Sequence, residues 1–242
     1  MQGHPLETNL AKVAKVAVLA GGGLDSAVLC AMLSAQCESV HPLFIRFGLV
    51  WEDAEMAHFR KFLAAVHSSR IREVVTLSVP MNDLYGSHWS LTGEGVPDAA
   101  TEDRAVELPG RNLLLIAKSA VWCAANDVHA IAMGILSGNP FPDASKEFFD
   151  RLEGAASLAL SRRLVLLRPF ADLTKADVIG LGAHYPLELT FSCIDRSGCP
   201  AANPSIAASA ISARNAGAVS KTRTGWIPLP MRRPGLRKSR YV

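Results

Sequence analysis

Apolar and polar positions along this chain follow two rhythms that trade places several times. "VAKVAVLA" (Val13–Ala20) is nearly continuous in apolar residues, as a strand buried on both faces would be. "SAVLCAMLSA" (Ser26–Ala35) follows at once as a helix, then "SVHPLFIRF" (Ser39–Phe47) as a second strand. "WEDAEMAHFRKFLAAVH" (Trp51–His67) places Met56, Phe59, Leu63 and Val66 at helical spacing, and "REVVTLSV" (Arg72–Val79) is a third strand. Pro80 to Pro109 has no period and scatters Gly, Pro, Asp and Asn. It is expected to be a long irregular loop, the kind that usually carries function. Gly110–Asp127 and Asp143–Leu160 read as helices, His129–Leu136 and Arg163–Phe170 as a fourth and fifth strand. Thr174-x-x-Asp177 opens a last helix with a capping box. Past Tyr185 the character changes, and residues 197–219 are Ala-, Ser- and Asn-rich with Arg214 as their one charge. Strands alternating with helices predict an α/β domain with a mainly parallel five-stranded sheet and helices on both faces. No internal repeat is present.

Composition narrows this picture. Of 242 residues, 49% are hydrophobic and 19% charged, so a large core can form and global disorder is excluded. No apolar run approaches a membrane span, and "MQGHPLETNLAKVAKV" makes a poor signal peptide. Five cysteines, an odd number, read as reduced thiols in a cytoplasm rather than a disulfide framework. The net charge is +3, yet Arg232, Arg233, Arg237, Lys238 and Arg240 alone carry five positives in a tail without an acid. A basic tail can bind nucleic acid, but a Pro-rich terminus is more often merely solvated. Outside it no Lys/Arg cluster appears, which argues against a nucleic-acid partner.

The candidate chemistry sits in "VLAGGGLDSAVLC" (Val18–Cys30). A strand that runs through glycines into a helix start lets backbone N–H groups approach an anion, and the helix N-terminus adds unpaired donors. No lysine follows to make a Walker loop, and Leu24-Asp25-Ser26-Ala27 breaks the dinucleotide fingerprint. What remains is similar to S-G-G-x-D-S, the phosphate loop of the N-type ATP pyrophosphatases, with Gly21 in the place of the first serine. That resemblance implies an ATP site over Ala20, Gly21, Gly22, Gly23, Leu24, Asp25, Ser26 and Ala27. Asp25 would position Mg²⁺ and Ser26 would donate to phosphate. The plain alternative is a tight strand–helix turn in which Ser26 or Asp25 caps the helix.

"LPGRNLLLIAKSA", "GNPFPDASKEFF", "RPFADLTKADVIGLG" and "PLELTFSC" occur in this order and resemble the 7-cyano-7-deazaguanine synthases over about Val16 to Arg223. "HPLFIRFGLVWEDAE" marks a divergent branch. The resemblance implies a Rossmann-like adenine nucleotide α-hydrolase fold and an ATP-dependent, AMP-releasing ligase on the route to queuosine. Such an enzyme converts 7-carboxy-7-deazaguanine and ammonia to the nitrile. Arg111 and Asn112, at a helix start, would then meet substrate carboxylate or phosphate. Asp143 would bind the deazaguanine edge or Mg²⁺, or simply cap the helix that follows it. Lys175 would reach phosphate as a catalytic group, or be an ordinary surface lysine. His41, His88 and His184 are read as structural.

Two departures stand out. The family's zinc site uses four cysteines, and here Cys193 and Cys199 are joined by Ala202 and Ser205. Two thiolates cannot close a tetrahedral site, so no tightly bound zinc is expected. The loop also lacks its serine. A catalytically impaired nucleotide-binding relative, or a tRNA-modifying enzyme with the same loop, are the rival readings, and a homodimer is left open. The expected organisation is an ATP-binding domain over 13–190, a degenerate zinc loop and helical appendage over 191–225, and a basic tail over 226–242.

Overall fold

The computed structural model describes residues 13–97 and 107–191. Five strands, β1 (Lys15–Leu19), β2 (Ser39–Arg46), β3 (Val75–Ser78), β4 (Ala130–Ala132) and β5 (Val165–Leu167), form one sheet in the order β3-β2-β1-β4-β5. Every pairing is parallel. The expected α/β architecture is therefore the one observed.

The central strand shows why. Residues Val16, Ala17 and Val18 of β1 are fully buried, since helices cover both faces. Val16 and Val18 point into one apolar cluster with α1 (Leu24–Gln36), α2 (Glu52–Val66) and α7 (Lys175–Leu181), through Val28, Phe59, Phe62 and Val178. Ala17 and Leu19 point into the other, with α5 (Arg111–Ala125) and α6 (Lys146–Ala159), through Ile116, Cys123 and Phe149. The period of two sorts one strand's side chains between two cores. Truncating Phe59 or Phe62 to Ala would cost about 3–5 kcal/mol.

From β1 the chain winds through β2 and β3 to one side, then crosses to β4 on the other side of β1. The carboxyl ends of β1 and β4 therefore flank the crevice where strand order reverses, the usual ligand site of open α/β sheets.

Several boundaries differ from expectation. The stretch from Pro80, expected to be irregular, holds two single-turn helices, α3 (Asn82–Tyr85) and α4 (Trp89–Thr92). His88 Nδ1 accepts from the Ser90 N–H at 3.2 Å, and the Tyr85 hydroxyl donates to the Pro109 carbonyl at 2.7 Å, which ties the stretch to the start of α5. The helix expected from Asp143 begins at Lys146, because Ser145 rather than Asp143 is its N-cap. Strand β4 stops at Ala132, and Met133, Gly134 and Ile135, just past its end, line the crevice. The Thr174–Asp177 capping box is present as expected.

Cys30, Cys37 and Cys123 are buried and free, and burial pushes the Cys30 and Cys123 thiols up to about 12. Among the described residues no helix is long and apolar enough to cross a membrane. Cys193, Cys199, the helical appendage and the basic tail lie outside the described residues.

Candidate functional site at the β1–β4 crevice

Three glycines carry the chain from β1 into α1. Gly23 is the N-cap of α1 and has no side chain to take up the first-turn amides, so those donors remain available to an anion. Neither Asp25 nor Ser26 caps the helix, against the plainer reading of this turn. Gly22 is required by space, since a Cβ there would stand 2.5 Å from the Glu55 Cα. Gly134 is similarly close, with a built Cβ 3.2 Å from the Asp25 backbone. Gly21 is different: its added Cβ would meet only the Glu55 carboxylate, at 3.8 Å. A serine would fit, so the glycine at this position is not imposed by packing.

Ser26 turns inward. Its hydroxyl donates to the Gly21 carbonyl at 2.6 Å and lies 3.1 Å from the Gly23 carbonyl, while its Oγ accepts from the Gly21 N–H at 3.2 Å. The side chain thus shapes the loop. Asp25 accepts from Lys175 at 2.7 Å, across 150 residues of sequence, and the partners are 26% and 43% exposed. The start of α7, fixed by its capping box, sets Lys175 opposite the glycine loop. An ion pair this open is held weakly and can be exchanged for a ligand at little cost.

Helix α5 supplies the opposite wall. Its N-cap, Gly110, has φ 77° and brings no side-chain cap. Asp143 takes that role from a distance: its Oδ2 accepts from the Asn112 backbone N–H at 2.9 Å, and the Asn112 side chain donates to the Asp143 Oδ1 and carbonyl. The pair expected to bind substrate is thus joined to itself, and Asp143 caps α5 rather than the helix after it. Arg111 lies 5.5 Å over the Phe47 ring, and its buried Nε has no hydrogen-bond partner among the described residues. A buried guanidinium N–H left unpaired is costly, so an acceptor from a ligand is the natural complement.

These groups line a cleft of about 260 Å³, together with Leu19, Phe44, Ile45 and Met133. Asp25, Ser26, Arg111 and Asn112 all border it. Lys175 reaches its rim through Asp25, and Asp143 touches it through Asn112.

Two glutamates in the cleft escaped the sequence reading, which took Trp51–His67 as a helix by its apolar spacing alone. Glu52 is buried and accepts from the Phe47 and Gly48 N–H groups at 2.6 and 3.3 Å, fixing the turn from β2 into α2. Glu55 faces Gly21. Burial pushes its carboxyl up to about 7, Arg111 opposes that rise and Glu52 adds to it. The available signal was charge at the start of a helix that begins just past a strand end.

Among the described residues no three His, Cys, Asp or Glu side chains gather to hold a metal ion. Asp25 can offer one carboxylate to Mg²⁺, which commonly takes its other ligands from phosphates and water.

A family model described as queuosine biosynthesis protein QueC matches residues 15–207. A 7-cyano-7-deazaguanine synthase of Archaeoglobus fulgidus is 32% identical over 77% of this chain and 80% of its own length. The 7-cyano-7-deazaguanine synthase 1 of Desulfitobacterium hafniense is 29% identical over 74% of this chain and 81% of its own. A solved 4-thiouridine synthetase–RNA complex with bound ATP covers 82% of this chain and 50% of that chain, at 15% identity and a TM-score of 0.46, a likeness too slight to bear on function.

Proposed function

The chain belongs to the QueC family of queuosine biosynthesis proteins, and from that premise we propose that it is an ATP-dependent ligase making 7-cyano-7-deazaguanine from 7-carboxy-7-deazaguanine and ammonia. The observation that carries the proposal is the uncapped start of α1 at the β1–β4 crevice, with Lys175 and Arg111 facing it from two other helices.

A carboxylate is a poor electrophile near neutral pH, so it must first gain a leaving group. In the proposed reaction the substrate carboxylate oxygen attacks the α-phosphorus of ATP, and pyrophosphate leaves. Ammonia then attacks the acyl carbon, giving the amide, AMP and a proton. A second ATP activates the amide oxygen in the same way, with loss of pyrophosphate, and departure of AMP and both amide protons leaves the nitrile. Negative charge builds on phosphate oxygens in each activation. The chain's contribution is positioning and charge stabilisation.

The first-turn amides of α1 hold the polyphosphate. Lys175 exchanges Asp25 for the departing pyrophosphate, and Asp25 would be the residue to hold Mg²⁺, which would supply charge neutralisation at the phosphates. Arg111 binds the substrate carboxylate or the α-phosphate through the N–H now lacking an acceptor. Asn112 and Asp143 hold that arginine's helix start in place. Residues 13–190 form the ATP-binding domain in this reading, with a small-molecule substrate and no nucleic-acid partner.

Purified protein incubated with ATP, Mg²⁺, ammonium and 7-carboxy-7-deazaguanine should release AMP and form the nitrile, both followed by mass spectrometry. Nitrile formation would show that the loop serine and four zinc thiolates are dispensable. ATP binding without substrate-dependent AMP release would instead mark a nucleotide-binding relative that has lost catalysis, the reading favoured by Gly21 and the missing cysteine pair.

A further inference from the structure

Beside the glycine-loop cleft lies a second cavity of about 410 Å³, bordered by Trp51, Trp89, Glu107, Phe141 and Asn139. The two cavities share Leu49, Arg111, Asn112 and Ile135 in their linings, so they adjoin at the start of α5. Trp51 and Trp89 stack with ring centroids 5.3 Å apart and planes 28° from parallel, one from the start of α2 and one from α4. Asp143 also borders the cavity, but both its carboxylate oxygens already accept from Asn112. Glu107 forms no ion pair with any cation among the described residues.

We propose that this second cavity binds the heterocycle of the acyl substrate, with Glu107 reading a guanine-type edge and the indoles of Trp51 and Trp89 giving the ring an aromatic face. The inference rests on the reaction proposed above and deepens it, because it says where the second substrate sits and what selects it.

The edge chemistry decides the occupant. A guanine-type edge presents two adjacent donors, the ring N–H and the amino group, which match the two oxygens of one carboxylate. An adenine-type edge places an amino donor beside a ring acceptor, and a carboxylate facing it would meet a lone pair. The adenine of ATP therefore does not suit the Glu107 cavity, whereas Phe44, Ile45 and Met133 give it an apolar wall within the glycine-loop cleft. Stacking on indole accepts any flat ring and supplies affinity without selecting between them. With the heterocycle in the second cavity, its carboxyl group is directed to the shared wall. There the unpaired N–H of Arg111 stands between acyl substrate and nucleotide. The reacting atoms then meet at the junction, as adenylation requires.

The test is binding, which needs no turnover. Calorimetry and tryptophan quenching on the full chain should use 7-carboxy-7-deazaguanine, 7-deazaguanine, 7-deazaadenine and a non-hydrolysable ATP analogue. The wild type should bind both guanine-edge compounds at least about tenfold more tightly than 7-deazaadenine, because the site's carboxylate is left unmatched by the latter. Glu107→Gln should abolish that preference while the ATP analogue's Kd stays within about twofold. Trp89→Leu should weaken all three heterocycles alike, and Trp89→Phe should restore most of the loss. A Glu107→Gln variant that keeps the preference, or that weakens the ATP analogue equally, would overturn the assignment. The two proposals fail separately: nitrile formation with an unaltered Glu107→Gln variant removes the subsite but not the reaction. Binding of the guanine-edge compounds without AMP release removes the reaction but not the subsite.

Discussion

Single side chains at the crevice divide into those that shape it and those that act. In the proposed reaction Lys175 belongs with the second kind, since its pairing with Asp25 is open to water and worth little to the fold. Lys175→Met should therefore leave the urea midpoint within the change expected for ~1 kcal/mol, while AMP release falls by about 100-fold or more, as loss of one charge-stabilising donor generally brings. A comparable loss of stability would mean that the pair serves the fold. Glu55 tests the electrostatics. Its carboxyl is at about 7 in the folded protein, against a reference value of 4.5. Below the reference value it is neutral folded or unfolded and costs nothing. As pH rises towards about 7 the unfolded chain gives up the proton and the folded chain resists, so this residue's contribution to stability declines and then levels off. Glu55→Gln removes that penalty, which is of order a few kcal/mol, since one pKa unit corresponds to about 1.4 kcal/mol. Urea unfolding should show the variant gaining on the wild type at pH 8 and matching it at pH 4. A variant that is less stable at pH 8 would show that the ionised carboxylate holds the loop together.

At the scale of elements, the helix starts decide where functional groups stand. Asp143 holds the first turn of α5 from outside the helix, through the Asn112 N–H, and so fixes the helix that presents Arg111. Asp143→Ala should cost about 1–2 kcal/mol by urea unfolding, the worth of a lost N-terminal cap, whereas Asp143→Asn keeps an acceptor and should cost less. Equal losses for the two would point to the charge rather than the hydrogen bond. This contact also shows what the sequence could convey. The capping box of α7 was legible because its two partners are three residues apart, and the β1–glycine–α1 turn because strand, loop and helix are contiguous. Asp143 and Asn112 are 31 residues apart, and their contact exists only once α5 and the Pro142–Ala144 turn pack together. The same holds for Glu55, whose place opposite Gly21 follows from the backbone approach of α2 to Gly22. Asp143 looked like the cap of its own helix because Asp is a good N-cap, but Ser145 is equally good and lies two residues nearer. The single turns α3 and α4 were hidden for a related reason: four residues are too few to establish a period.

The molecule as a whole places its ligand crevice between two apolar cores, one on each face of the sheet. One face of the sheet is sealed through Phe59, Phe62 and Phe170, the other through Phe47, Ile116 and Phe149, all nearly or fully buried. Cores of this size draw folding free energy from apolar burial, in contrast to small zinc modules that unfold when the ion is removed. With Ala202 and Ser205 in place of two ligands, the full chain should carry well below one zinc per molecule by elemental analysis. Its Tm should be unchanged by a strong chelator. ATP with Mg²⁺, proposed above to bridge the glycine loop, Lys175 and Arg111, should raise Tm in proportion to the logarithm of its concentration once saturating, as a ligand of the native state does. One zinc per chain, with a chelator lowering Tm, would mean that Cys193 and Cys199 find two further ligands, in the same chain or in a second copy. The altered motif would then be a rebuilt zinc site rather than a lost one.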